Sequence, residues 1–503
     1  SILGCKFDFK WKDPIGNCPA RARVRCCICG NQQRLEKEDN TFAPVARMTT
    51  MRLLFSYAIQ MNLDCEVSDI STAFPNALLP SHMKVFMKVP EEAKIYYKDI
   101  DLSGKYFAVN RALYGLASSP RAFNQHLHTW LQSIGFLQSK VDPCLYFRMG
   151  LFIIVYVDDI AMIGEIKLIS KFKKELDVDY TIRHHGPISV FCGMEFSRDR
   201  KARTGKISML KYSEKLAKEF LPSGYRAVKR PCTEQDSFTK EDEPTASEEI
   251  RLMASKPYRR LVACLLWMST TVRSDLAFPV KRLSQHLNNP GKKMWKSAIK
   301  CLTYACANNW EIHYKAHTPK PILKIYVDSD YAADRATRRS TSGVMAFHGE
   351  NMINWMVKNQ KSVALSTMEA EYMALCEASK EALYLRYLTM ELHQLHPKDP
   401  VILLEDNIAC KLISTDAKHH SRAKHIDVQY HFSRECHQNG LTKVIDVHTQ
   451  RQLADYLTKY LDTVKLYRLC HAAFGYSSVF HSESPELPLV PMNQDGRDDN
   501  KVK

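Results

Sequence analysis

The sequence predicts an α+β chain, its first half built on antiparallel strand hairpins and its second half an α/β layer. Three observations carry that expectation. Residues 151–164 place two apolar runs, rich in β-branched and aromatic residues, on either side of an Asp pair. That is the pattern of a strand, a tight turn and a second strand. Helical patterns flank this hairpin, with Phe123, Leu127, Leu131 and Ile134 as an apolar stripe before it and a basic amphipathic run over 167–176 after it. From Pro319 onward, strand patterns come first and then alternate with helices, the order of an α/β layer.

The 503 residues leave room for two to four domains. A formal net charge of +16 points to a polyanionic partner, nucleic acid before an anionic membrane. The basic residues are spread along the chain, which suits a groove better than a tethering arm. No stretch is apolar and long enough for a membrane-spanning helix. Sixteen Cys at irregular spacing, with no signal peptide before them, read as reduced thiols of an intracellular protein. Cys26-Cys27-Ile28-Cys29 lacks a second pair at zinc-finger spacing. The chain opens at Ser1 within a strand pattern, as a piece of a longer product would.

Taken in order, residues 1–30 alternate basic and apolar positions around Lys10, Lys12, Arg21, Arg23 and Arg25, a basic hairpin suited to phosphates or simply to solvent. Thr49 and Thr50 offer an N-cap for a helix to about Gln60. A strand over 63–70 follows, with Asp69 near its end and Phe74 shortly after. Tyr114-Gly115-Leu116 begins a turn in which Ser119 caps and Pro120 opens the next helix, ended by Gly135. Short strands are expected over 190–196 and 206–210, an acidic linker or long loop over 233–250, and helices between Tyr258 and Tyr304. In the last part, a strand over 323–327 ends in Asp328, with further strands over 343–347 and 352–355. Ser366-Thr367-Met368-Glu369 is a capping box whose helix carries Glu371, and Asp406 follows a strand over 401–404. Thr449-Gln450-Arg451-Gln452 is a second capping box, leading into a helix with Asp455. Residues from about 477 are Ser/Pro/Asp-rich, a composition that favours disorder.

Adjacent carboxylates repel, and each resists burial. A divalent cation removes both penalties, and Mg²⁺ suits a site of one or two carboxylates plus phosphates. A solvated Asp-Asp turn is the competing reading of Asp158-Asp159, as a core position is for Phe74.

The order of the motifs resembles the reverse transcriptase–RNase H part of the Pol polyprotein of copia-type LTR retrotransposons. Phe42-Ala43-Pro44-Val45, Asp69 with Ala73-Phe74, Ala112-Leu113-Tyr114-Gly115-Leu116, Pro120-Arg121-Ala122-Phe123 and Tyr156-Val157-Asp158-Asp159 match its polymerase blocks. Arg338-Arg339-Ser340-Thr341-Ser342-Gly343, Glu369-Ala370-Glu371-Tyr372, Glu405-Asp406-Asn407, Lys424-His425-Ile426-Asp427 and Leu453-Ala454-Asp455 with Leu457-Thr458-Lys459 match its RNase H. Cys29-Gly30-Asn31, in place of Arg-Gly and a variable residue, and Pro75, in place of Leu, depart from the pattern.

The resemblance implies a right-hand polymerase with an antiparallel palm sheet and then an RNase H-like α/β domain. Fingers and palm would occupy 1–232, a linker with a helical thumb or connection 233–318, the RNase H-like domain 319–474 and a disordered tail 475–503. It implies RNA-directed DNA synthesis and cleavage of RNA in RNA/DNA hybrids. Asp69, Asp158 and Asp159 would form one catalytic metal site, with Asp158 the stronger ligand. Asp328, Glu371, Asp406 and Asp455 would form the other. Each site would hold two Mg²⁺, with Mn²⁺ as a substitute. Arg21, Arg23, Phe74, Tyr114 and Gly115 would contact the nucleotide, the Phe74 ring selecting dNTPs. Implied partners are an RNA template, a DNA or tRNA primer, dNTPs and the integrase and capsid products, with no membrane. The implied setting is a cytoplasmic virus-like particle, or the nucleus with the preintegration complex. The alternative is a decayed or co-opted element that binds nucleic acid without catalysis.

Overall fold

The computed structural model describes residues 2–12, 21–34, 40–318, 321–334, 336–393, 395–415 and 424–476. At its centre lies a six-stranded antiparallel sheet in the order Ile182–Pro187, Asp64–Ile70, Asp159–Gly164, Leu151–Tyr156, Leu145–Arg148, Leu137–Gln138. The hairpin strands are apolar over 151–155 and 160–163 because both faces of this sheet are covered. Side chains alternate along a strand, so Ile153, Val155, Ile160 and Met162 join one core with Phe123, Leu127, Leu131, Ile169, Phe172 and Leu176 of two helices, Ser119–Ser133 and Ile166–Asp179. Phe152, Ile154, Ala161 and Ile163 join a second core beneath the helix Met48–Met61.

That second core runs on into the C-terminal half. There a five-stranded sheet has the order Asn351–Asn359, Thr341–His348, Leu323–Ser329, Val401–Glu405, Thr442–Asp446, with the first three antiparallel and the last two parallel additions. The long helix Thr367–Glu391 packs on it, its N-cap Ser366 hydroxyl accepting from the Glu369 N–H at 3.2 Å. A four-stranded sheet of Val190–Phe191, Met194–Asp199, Thr204–Ser208 and Ile312–Lys315 lies between the two halves in sequence. The helices Tyr258–Thr271, Ala277–Ser284 and Lys292–Ala307 fill the expected helical stretch.

Several local expectations change. The first helix begins at Met48, so Thr49 and Thr50 lie inside its first turn rather than capping it. The Thr50 hydroxyl instead donates to the buried Asp142 carboxylate at 2.5 Å. Ser119 is the first helical residue and Ser118 the cap position, with the Ser119 hydroxyl donating to Leu113 O. Leu210 starts a helix to Phe220 rather than ending a strand. The expected linker or long loop over 233–250 already carries the start of a helix, Ser247–Ala254, and residues 233–242 before it are not loose. Two single turns, closed by Thr233–Asp236 and Thr239–Asp242 capping boxes, strap onto the basic helix Lys292–Ala307. Asp236 accepts from Ser297 and Lys300, and Asp242 from Lys293. The acidic composition mistaken for a linker is charge complementarity to that helix. Asp455 sits in a 3-10 turn, Leu453–Leu457, entered through the Gln452 side chain rather than a Thr449 capping box. The expected tail falls outside the described residues, except that Gly475 and Tyr476 pack near Trp310 and His313. Every described Cys is a free thiol.

Arg52 ties the two halves together. It is 2% exposed, donates to Ile353 O at 2.8 Å and Thr271 O at 2.5 Å, and stacks over Trp355 at 4.1 Å. Removing it orphans buried carbonyls from both sides of the join. We expect Arg52→Ala to cost about 3 kcal/mol or more in a denaturant melt, and an unchanged midpoint would contradict this role.

Candidate active sites

The register of the central sheet sets Asp159 opposite Asp69. The Ile70 N–H donates to Asp158 O at 2.8 Å, which ties the hairpin turn to the neighbouring strand end. Val157, the other turn residue, has φ +60°, a strained conformation for a β-branched residue. The turn is therefore held by its surroundings, and it carries Asp158 and Asp159 to the end of the strand bearing Asp69. Burial raises both turn carboxyls. Asp158 is raised further by Asp69 and is countered by Arg25 and Arg23. Asp159, flanked by Asp158 and Asp69, moves from 3.8 to about 6. All three Asp are half-buried.

Above this cluster lies the basic hairpin, strands Cys5–Lys12 and Arg21–Ile28. Its register pairs Asp8 with Arg25 and Lys10 with Arg23, gathering charge on one face. The Arg25 guanidinium lies 4.8 Å from the Tyr114 ring centre. Tyr114 meets Phe74 at 5.0 Å, and Phe74 meets Phe123 at 6.2 Å. Pro75 fits because Phe74–Asn76 is a 3-10 turn with Pro in its first residues. The hairpin is locked to the Tyr114 turn by the Ile28 N–H bond to Tyr114 O at 2.8 Å. A Cβ on Gly115 (φ +94°) would lie 2.0 Å from Ile28 O, and one on Gly30 1.9 Å from Gly115 O.

The second cluster forms at one edge of the C-terminal sheet. Asp328 is in the strand Leu323–Ser329, Glu371 in the start of the helix Thr367–Glu391, and Asp406 just past Val401–Glu405. Carboxylate oxygens of these three lie within 4.8 Å of one another. Glu371 is 4% exposed, yet its Oε2 has no hydrogen-bond partner. Burial, then Asp328 and Glu405, push its carboxyl well up. Burial also raises Asp328, where Asp455 adds to the effect against the pull of Lys459. A buried acceptor aimed at two further carboxylates fits a divalent cation. Asp455 stands apart from the three. Its oxygens meet Lys459 Nζ at 2.8 Å and Lys465 Nζ at 2.5 Å. Gly343, opposite Asp328 in the register, leaves the space that Leu457 and Thr458 enter.

Residues 2–234 match a family model described as reverse transcriptase (RNA-dependent DNA polymerase). Over 487 residues, 95% of this chain, the sequence is 33% identical to a retrovirus-related Pol polyprotein from transposon TNT 1-94 of Nicotiana tabacum. The chain is a relative of copia-type retrotransposon Pol polyproteins. It is 29% identical over 475 residues to the Pol polyprotein from transposon RE2 of Arabidopsis thaliana. It spans about a third of the length of these curated relatives, 36% and 31%. A solved foamy viral protease–reverse transcriptase in complex with ds DNA aligns over 87% of this chain and 64% of its own, at 13% identity and a TM-score of 0.47. No helix among the described residues is long and apolar enough to cross a membrane.

Asp69, Asp158 and Asp159 come together through backbone pairing, but their oxygens do not meet the 4.8 Å closeness of Asp328, Glu371 and Asp406, the one such acidic group among the described residues. Arg23 acts on Asp158, and Phe74, Tyr114 and Gly115 form a neighbouring group linked to the basic hairpin through Arg25 and Ile28, whereas the Arg21 side chain lies outside the described residues. Sequence reasoning named Arg25, Glu405 and Lys459 within the hairpin and the motif blocks but gave none of them a place in a site. Cross-strand alternation carried the signal for Arg25, and the i,i+4 spacing from Asp455 carried it for Lys459. Asp330 and Asp334, close to Asp328 in the sequence, accept from the backbone of Thr341 and of Ala336 and Thr337.

The raised Asp159 carboxyl makes stability depend on pH. The folded chain binds its proton more tightly than the unfolded chain does, so the contribution is full below about pH 4 and lost as pH rises through about 6. We expect Asp159→Asn to raise the melting temperature of metal-free protein at pH 7.5 and to change it little at pH 4. An equal shift at both values would contradict the assignment.

Proposed function

We propose that the chain is an RNA-directed DNA polymerase that also cleaves RNA in RNA/DNA hybrids. The observation that carries the reading is the strand register that faces Asp159 with Asp69 and ties Asp158 to Ile70. Four further acids at a separate sheet edge supply the second activity. Asp69, Asp158 and Asp159 would hold divalent cations on one side, and Asp328, Glu371 and Asp406 would form a divalent-cation site on the other, with Asp455 beside them. Bound Mg²⁺ would supply charge for the attacking and leaving oxygens of an in-line phosphoryl displacement.

The chain's own residues bind and orient. Arg23 and Arg25 face the Asp158 side and suit a triphosphate. The Phe74–Tyr114 pair gives a half-buried aromatic floor for a sugar and base. A ring there would clash with a 2′-hydroxyl and so favour dNTPs. The substrates would be an RNA template, a primer and dNTPs, and their phosphates suit the +16 charge. Fingers and palm over 1–232, a helical connection over 233–318 and a nuclease unit over 319–474 are the working division. A cytoplasmic particle with the remaining polyprotein products is the setting that fits.

Primer extension and hybrid cleavage, scored in one reaction, test this. Asp158→Asn should lower dNTP incorporation at least about 100-fold and spare RNA cleavage. Glu371→Gln should do the reverse. Product from neither activity in the parent protein would favour a nucleic-acid-binding element without catalysis. In the same assay, Phe74→Ala should admit ribonucleotides at least about tenfold more readily, and unchanged sugar selectivity would remove Phe74 from the pocket.

A further inference from the structure

We propose that the C-terminal quartet is built for one resident divalent cation, with the Lys459 ammonium standing where Asp328 and Asp455 would otherwise share a second. The inference rests on the reading of this quartet as a metal site. Lys459 Nζ lies 2.8 Å from Asp328 Oδ1 and 2.8 Å from Asp455 Oδ1. Both carboxylates have no exposed side-chain surface, whereas the lysine is 38% exposed. One cation thus bridges two buried carboxylates, as a shared metal would. The bridge is set by the local chain, because the Lys459 N–H also donates to Asp455 O at 2.9 Å and closes the turn that carries both residues. Lys465 Nζ takes the other Asp455 oxygen at 2.5 Å, and the Thr458 hydroxyl donates to Asp328 Oδ2.

The opposite side of the cluster is left open. Glu371 Oε2 is buried with no hydrogen-bond partner, and oxygens of Asp328, Glu371 and Asp406 converge within 4.8 Å. Charge is consistent with this. The quartet and the adjoining Glu405 carry five negative charges when ionised, the two lysines cancel two, and one divalent cation leaves a single negative charge. A second divalent cation beside both lysines would leave the site net positive unless Lys459 swung out to solvent. Lys459 is in this sense a positioning residue, acting through Asp328 and Asp455.

The test is a Mn²⁺ titration without nucleic acid, read by calorimetry and by electron paramagnetic resonance. It uses the full chain carrying Asp158→Asn and Asp159→Asn, so that the first cluster adds no signal. One tight site is expected, and Glu371→Gln should abolish it. Lys459→Met should create a second site within about tenfold of the first in affinity, whereas Lys459→Arg should keep one. Two sites of similar affinity before any Lys459 change would overturn the proposal while leaving the quartet a metal site. A single site that persists in folded Lys459→Met would also overturn it. No binding at all would instead overturn the metal reading of the quartet. If Lys459→Met fails to fold, the stoichiometry with Lys459 in place still decides.

Discussion

Carboxylates gathered without enough opposite charge push one another apart, and much of this fold is organised to resist that push. The resistance comes first from the backbone, with side chains added at the second cluster. Asp69 and Asp159 are held by ladder register, Asp158 by a turn containing a strained Val157, and Asp328 by a strand pinned through the Gln452 amide donating to Val327 O at 2.7 Å. The two clusters answer the same problem differently. The first is half-buried, with Arg23 and Arg25 at a distance. The second buries Asp328, Glu371 and Asp455, leaves Asp406 half-buried and brings two lysines into direct contact.

Much of this was legible in the chain because the informative signals were local. The hairpin around Asp158-Asp159 announces itself through β-branched runs, and Ser366 through Glu369 announces a helix start that the structure keeps. What could not be read was pairing between distant segments. Residues 233–242 look like a linker until the basic helix Lys292–Ala307 is set beside them. Thr50 looks like a cap until Asp142, 92 positions away, takes its hydroxyl. Lys459 belonged to a recognised motif, but nothing in a string of letters says that it reaches Asp328, 131 positions earlier.

The two halves also meet more intimately than a bead-on-string arrangement requires. The helix Met48–Met61 packs against the strand Asn351–Asn359, with Thr49 bonded to Asn354 and Ser56 to His348. Ser139 and Lys140 reach Glu391 at the far end of the long helix. Arg52 sits in the middle of this seam, its charge opposed by burial and accommodated by carbonyls and an indole face.

The interlocked Gly30 and Gly115 carry an evolutionary consequence. In most packed pairs, enlarging one residue can be rescued by shrinking the other. Here each glycine abuts main chain, at Gly115 O and at Ile28 O, and main chain has nothing to trim. Neither position has a compensating partner, so a lineage that drifted at either one could recover only by reversion or by redrawing the path of the loop itself.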